Sequence, residues 1–334
     1  MTRARANKAC PGDCRTGGLS AAILRGDPRA AARMLTLIDN RDPAARQILK
    51  RLYPSTGRAR LIGVTGAAGS GKSTLIGRMA EELRRRKKSV GILAVDPSSP
   101  LSGGALLGDR IRMRAHFLDD GVFIRSLATR GGLGGASGAL VEAAQVLDAL
   151  GKDYILIETI GIGQDQIDVA GIAQMVLTVV SAGSGDDVQA LKAGLFEVTD
   201  FLVINKADLP GTDELQAEFA GAPAFERVPI ARVSALTGDG MAALIDRIDS
   251  QWSHSAAAEN RARRSVEIAR RQLVALLYDA LMDRLRKTIG EDHIEGWARR
   301  IAERREDPYS AARAILAQLG FDSKKRNEPR RAQK

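Results

Sequence analysis

The run Gly66-Ala67-Ala68-Gly69-Ser70-Gly71-Lys72-Ser73 constrains this chain more than any other segment. It fits G-x-x-x-x-G-K-[ST] in full. It follows the apolar stretch Leu61-Ile62-Gly63-Val64 and opens a helical pattern at Thr74. That context calls for a buried strand, a tight turn and a helix whose first N–H groups face a bound phosphate. The glycines let the backbone wrap closely round the anion. Lys72 is placed to reach the β- and γ-phosphate oxygens of a nucleotide, and the Ser73 hydroxyl to coordinate Mg²⁺. Gly66 to Thr74 are the expected phosphate contacts.

The rest of the chain supplies the sheet such a loop needs. Strands are expected at Leu61–Thr65, Val90–Val95, Val122–Ser126, Tyr154–Glu158, Val176–Ser181, Phe201–Asn205 and Pro229–Val233. Helical stretches follow most of them, at Lys72–Arg86, Ser137–Leu150, Thr212–Ala220 and Met241–Trp252. Apolar strands separated by helices mean an α/β domain with a mainly parallel sheet, covered on both faces. Ligands then sit beyond the carboxyl ends of the strands.

Short helices are expected before this domain, over Ser20–Arg25, Pro28–Ile38 and Pro43–Tyr53, with Pro54-Ser55-Thr56-Gly57 as a linker. After it, Arg261–Ile289, Glu295–Arg304 and Tyr309–Leu319 read as helices. The expected boundaries are 1–56 for an N-terminal helical region, 57–252 for the nucleotide domain and 253–334 for a C-terminal helical arm.

Composition narrows the functional classes. The chain has 334 residues, 44% of them hydrophobic and only 4% aromatic, so the core must rest on Ala, Leu, Ile and Val. No apolar run approaches the roughly 18–20 residues of a membrane span. The formal net charge is +10. It gathers at Arg3, Arg5 and Lys8, at Arg84–Lys88, and in the tail from Lys324 to Lys334, without interleaved aromatics. That distribution fits solvated helix ends better than a nucleic-acid surface. Arg84–Lys88 suits the end of the helix after the phosphate loop, where cations complement the dipole. The two cysteines, Cys10 and Cys14, point to a reducing compartment and lack nearby histidines for a metal site. No apolar segment follows the basic first residues as a secretory signal requires, and a bacterial cytoplasmic protein is expected.

A magnesium ion needs carboxylates near Ser73. Asp96 ends one strand. Glu158 ends another and opens Glu158-Thr159-Ile160-Gly161, where many GTPases carry the Asp of D-x-x-G. Gly161 then offers a backbone N–H to the γ-phosphate. Asp109, within Gly103–Arg114, is a third acid. Further along, Asn205-Lys206-Ala207-Asp208 directly follows the strand Phe201–Ile204. The Asp208 carboxylate can accept from guanine N1–H and its exocyclic amine, a pair that adenine lacks. Asn205 is expected to support the N7/O6 edge, and the Lys206 stem to pack over the ring. Ser234-Ala235-Leu236 follows the next strand and suits a loop whose N–H contacts guanine O6. GTP and GDP are therefore the expected ligands.

With these residues in place, the chain resembles the MeaB (ArgK) family of GTPases, relatives of the human methylmalonic aciduria type A protein. The resemblance rests on Val95-Asp96-Pro97-Ser98-Ser99, on Gly103–Arg110 with Gly108-Asp109, on Gly131–Ala136, on Glu158-Thr159-Ile160-Gly161-Ile162-Gly163-Gln164, and on Asp307-Pro308-Tyr309-Ser310-Ala311-Ala312. It implies a SIMIBI-class P-loop domain, flanking N-terminal helices and a C-terminal dimerisation arm, hence a homodimer. It also implies a role as chaperone of an adenosylcobalamin-dependent acyl-CoA mutase, the cobalamin being held by that partner. Lys72, Ser73, Asp96, Asp109 and Glu158 become nucleotide and Mg²⁺ residues, with Lys72, Asp109 and Glu158 catalytic. Ser181–Lys192, with Asp186, Asp187, Gln189 and Lys192, matches the loop that couples nucleotide state to the mutase. Three stretches depart from the family pattern: Ala68 stands in place of proline, Asp165-Gln166-Ile167-Asp168 replaces a Ser-Glu-rich run, and Ser181–Gly185 replaces a proline-containing turn. A methylmalonyl-CoA mutase is the default client, and an isobutyryl- or hydroxyisobutyryl-CoA mutase is an alternative. The rival reading is a nickel metallochaperone GTPase.

Overall fold

Each expected strand forms, and the apolar runs dictate where. A computed structural model describes residues 11–97, 119–129, 135–158, 171–182, 198–318 and 320. The strands are β1 (Arg60–Gly66), β2 (Val90–Pro97), β3 (Val122–Thr129), β4 (Tyr154–Glu158), β5 (Met175–Ser181), β6 (Phe201–Asn205) and β7 (Ile230–Arg232). They make one seven-stranded sheet in the order β3-β2-β4-β1-β5-β6-β7, and every pairing is parallel. β4, β5 and β6 are buried at every position, as strands covered on both faces must be.

Three helices precede the sheet: α1 (Pro11–Leu24), α2 (Pro28–Asp39) and α3 (Pro43–Leu52). Asp27 caps α2 by accepting from Arg29 N at 2.8 Å and Ala30 N at 3.3 Å, with Pro28 at the first helical position. Asp42 and Pro43 repeat the device for α3, with Ala44 N donating to Asp42 at 2.8 Å. α1 begins at Pro11, well before the expected Ser20. Gly17 and Gly18 lie inside it and obscure its periodicity, since glycine is a weak helix former with no side chain to mark a face.

Alternate strand residues feed two layers of core. On one face Leu93, Ile155, Ile157 and Val176 pack with Ile23, Met34, Leu35, Ile48 and Leu52 of α1 to α3 and with Leu147 of α5 (Gly135–Ala149). On the other, Ile62, Val64, Ile92, Leu156 and Leu177 pack with Leu75, Ile76 and Met79 of α4 (Lys72–Arg85) and with Leu244, Ile245 and Ile248 of α7 (Met241–Ser253). A smaller cluster joins Val180, Leu202 and Ile204 to Phe219 of α6 (Thr212–Ala220) and to Phe225. The two phenyl rings meet edge to face at 5.1 Å.

The stretch 54–57, expected as a plain linker, is held at both ends. A short 3₁₀ turn spans Tyr53–Ser55. The following N–H groups of Gly57, Arg58 and Ala59 all donate to the buried Asp148 carboxylate of α5, at 2.5, 3.1 and 2.9 Å. Charge-assisted bonds of this kind are stronger than neutral ones.

The chain divides into two compact units, Met1–Arg270 and Arg271–Lys334. α8 (Ser255–Ile289) begins in the first. There, Arg264 pairs with Asp200 and donates to Gln174 O at 3.4 Å, while Arg261 lies 4.6 Å over the Trp252 ring. Arg60 covers the same indole at 5.4 Å and bonds the Tyr154 hydroxyl at 2.8 Å. Burial and the bond to Asp249 hold that phenol far above its usual pKa. Arg60 and Tyr154 start their strands, so this root of α8 is fixed at the amino ends of the sheet. α9 (Glu291–Ala302) and α10 (Pro308–Gln318) lie in the second unit. Among the described residues no helix is long and apolar enough to cross a membrane.

Candidate functional site

Register brings the motif residues to one edge. Val64 and Ala94 both align with Glu158, Gly66 aligns with Val179, and Ser181 aligns with Asn205. The carboxyl ends of β2, β4 and β1 therefore carry Asp96, Glu158 and Gly66 on neighbouring strands, with Asn205 at the same edge on β6 beyond β5, where a parallel sheet places its ligands.

The phosphate loop joins β1 to α4. Gly66 has φ of 142°, and a Cβ there would stand 2.1 Å from the Val179 carbonyl oxygen. Only glycine passes this point without moving the sheet. The Lys72 ammonium is buried under the loop and donates to Gly66 O at 2.9 Å and Ala67 O at 2.8 Å. Those bonds hold the charge against the backbone of the loop. Ser70 closes the curl, its hydroxyl donating to Ala67 O at 2.9 Å.

Ser73 and Glu158, far apart in sequence, touch: the hydroxyl donates to the Glu158 carboxylate. Glu158 is itself buried. Asp96 is the penultimate residue of β2, two positions beyond Ala94, which aligns with Glu158. Asp109, Gly161, Asp186, Asp187, Gln189 and Lys192 lie outside the described residues.

The base motif is tied to the phosphate loop rather than standing apart from it. The Asn205 amide is buried and donates to Ser70 O at 2.8 Å, while its oxygen accepts from Ala235 N at 3.0 Å. One of its two N–H donors and its oxygen thus brace the loops on either side. Gly71, at φ 90°, makes room for it, because a Cβ there would fall 2.3 Å from Asn205 Nδ2. Lys206 takes φ of 56°, and Leu209 N closes the turn onto Lys206 O at 2.9 Å. Asp208 is exposed at the tip of that turn. Ser234 and Ala235 are buried, whereas Leu236 is 72% exposed beside the same edge.

Arg78 was not visible as a site residue from sequence. It sits on α4 and donates to Ala235 O at 3.0 Å and Leu236 O at 2.8 Å. A cation set among the apolar residues Leu75, Ile76 and Met79, with Glu81 one turn on, is the only sequence mark it carries.

Comparison with known proteins agrees with this geometry. Residues 31–289 match the family described as methylmalonyl Co-A mutase-associated GTPase MeaB. A putative GTPase of Pyrococcus abyssi is 40% identical over 307 residues, covering 88% of this chain and 94% of that one. A putative GTPase of Caulobacter vibrioides is 39% identical, covering 78% of this chain and 84% of its own length. A crystal structure titled LAO/AO transport system kinase shares the fold, with a TM-score of 0.62 at 23% identity, covering 95% of this chain and all of the other. The strand order, the phosphate loop at its centre and the match across most of the length lead to one conclusion: the chain belongs to the MeaB family and is a P-loop GTPase.

Proposed function

We propose that this GTPase chaperones an adenosylcobalamin-dependent acyl-CoA mutase, gating cofactor loading and protecting or reactivating the enzyme. The observation that carries the reading is the match of residues 31–289 to a family described as associated with methylmalonyl-CoA mutase. A methylmalonyl-CoA mutase is the default client. The departures at Ala68 and around Ser181–Gly185 leave an isobutyryl- or hydroxyisobutyryl-CoA mutase as the alternative. Guanine is read by Asp208 and the Ser234–Leu236 loop, and the phosphates by Gly66–Thr74.

The residues fit Mg²⁺. Ser73 and Glu158 are hard oxygen donors in direct contact at the loop's exit, and Asp96 lies near the carboxyl end of the strand adjacent to that of Glu158. When bound, the ion supplies charge neutralisation at the phosphates. The chain's own part is positioning: Lys72 and the loop amides bind the β- and γ-phosphate oxygens and take up the charge that develops during transfer. No glutamine directly follows Gly161, the nearest being Gln164. Intrinsic hydrolysis is accordingly slow, and the mutase raises it by ordering the loops at the sheet edge.

A pull-down with the tagged protein, read by mass spectrometry with and without a non-hydrolysable GTP analogue, is expected to recover a cobalamin-dependent mutase in a nucleotide-sensitive manner. The recovered mutase should raise the GTPase rate at least about tenfold, in the manner of a partner that completes a hydrolytic site. Recovery of no mutase in either condition, or a rate unchanged by it, would falsify the chaperone reading.

The homodimer belongs to the same proposal. Leu273, Leu277 and Leu281 lie along α8 with 58, 54 and 50% of their surface exposed, a stripe that a second copy would cover. Light scattering should give twice the 35.7 kDa chain mass. A monomeric mass, unchanged by a Leu277→Glu substitution, would remove the arm from this role.

A further inference from the structure

We infer that Arg78 is a positioning residue for guanine recognition: it fixes the Ser234–Leu236 loop from the phosphate-binding helix, and so sets the strength of the O6 contact without touching the nucleotide. The inference rests on the reading of Ser234–Leu236 as the loop that meets O6.

The geometry is a closed circuit. Arg78 projects from α4, just over one turn after Ser73. Its Nε and Nη2 donate to consecutive carbonyls, Ala235 O at 3.0 Å and Leu236 O at 2.8 Å. Its third face is held by Glu81, with Nη1 donating to Glu81 Oε2 at 2.8 Å. Glu81 in turn receives Arg85 Nη2 at 2.9 Å, so the acceptor is itself steadied. From the other side, Ala235 N donates to Asn205, whose amide reaches Ser70 O. Ala235 is therefore gripped on its N–H by the base motif and on its carbonyl by the phosphate helix.

A planar guanidinium suits this task, because two of its N–H groups can serve adjacent carbonyls in one fixed orientation. The consequence concerns the peptide group, which is rigid. Fixing the carbonyls of Ala235 and Leu236 fixes the direction of the N–H groups that follow them. Ser234 and Ala235 are buried, but Leu236 has most of its side chain in solvent, so packing does not hold the outer end of this loop. At that end the carbonyls are tethered by hydrogen bonds, and Arg78 supplies two of them. The arrangement also joins the two halves of the ligand site: α4 begins at the phosphate loop and Arg78 ties it to the base loop.

The chemistry separates Arg78 from Asp208. The O6 atom is present in both guanine and hypoxanthine, whereas the exocyclic amine is on guanine alone. Loosening the O6 loop should weaken GTP and ITP by the same factor. Altering Asp208 should change the ratio between bases.

The experiment is a titration of the full-length protein with GTP, GDP and ITP, alongside steady-state hydrolysis, for Arg78→Ala, Arg78→Lys and Asp208→Asn. Arg78→Ala is expected to raise Kd and KM for GTP and for ITP together by about five- to twentyfold, the range for losing charge-assisted bonds. Its kcat at saturation should change less than about twofold. Arg78→Lys keeps the charge but not the fork, and should fall between the two. Asp208→Asn should turn preference from GTP towards XTP, since an amide can donate to the xanthine C2 carbonyl. Unchanged nucleotide affinity in both Arg78 variants overturns the inference, as does a lowered Tm with affinity intact, or a loss confined to GTP. If Asp208→Asn leaves base preference unchanged, the guanine-site reading itself fails, which is a separate result.

Discussion

Lys72→Ala is expected to lower kcat/KM for GTP by roughly a hundred- to a thousandfold, the usual consequence of removing one preorganised charge from a transition state. The position of the ammonium sets the size of the effect. It is buried and held by the carbonyls of Gly66 and Ala67, so it is fixed in place before any chemistry begins. Phosphoryl transfer asks the protein for placement and neutralisation, and no other lysine or arginine among the described residues donates to these loop carbonyls. Alanine also removes one donor from each of these two carbonyls, so some loosening of the loop adds to the loss. The check is a GTPase assay paired with circular dichroism. A rate within about threefold of the parent, with the spectrum unchanged, would take Lys72 out of the site.

Gly66→Ala is expected to lose stability by about 4 kcal/mol or more, among the largest effects a single methyl can have in this chain. Two costs act together. A φ of 142° is a conformation that L side chains rarely adopt. The added Cβ would also lie 2.1 Å from the Val179 carbonyl oxygen, which belongs to the neighbouring strand and cannot rotate aside. Strand β1 lies at the middle of the sheet between β4 and β5, so relief requires shifting backbone buried on both faces. For a domain of this size the Tm should fall by roughly 10 °C. A thermal melt within about 2 °C of the parent would show that the loop accommodates a side chain, contrary to the geometry.

The fold was largely legible because its strands are fully buried. A run such as Tyr154–Glu158, apolar up to its final acid, has no reading other than a strand inside the sheet once a phosphate loop is given. Ends were legible where capping chemistry marks them, as at Asp27-Pro28 and Asp42-Pro43. α1 was half hidden because Gly17 and Gly18 carry no face. In the site, the phosphate-loop pattern singled out Lys72 and Ser73 as candidates, and residue types at strand ends singled out Glu158 and Asn205. What no spacing announces is a partner on another element. The contact of Ser73 with Glu158, the grip of Asn205 on Ser70 and Ala235, and the reach of Arg78 to a loop 157 residues away exist only once register is set. Asn205 is the instructive case: its type was read from the base it should meet, while its nearest duties are internal.

The clamp of Asp148 on Gly57, Arg58 and Ala59 bears on how this protein could be inherited in pieces. Ile23, Met34, Leu35, Ile48 and Leu52 share one core with Ile155 and Ile157, so the opening helices finish a face of the sheet. A recombination event that joined the sheet to an unrelated leader would bare that apolar face, and the buried carboxylate would need three backbone N–H groups in the same curve to stay satisfied. The first helices and the sheet are therefore bound to descend together.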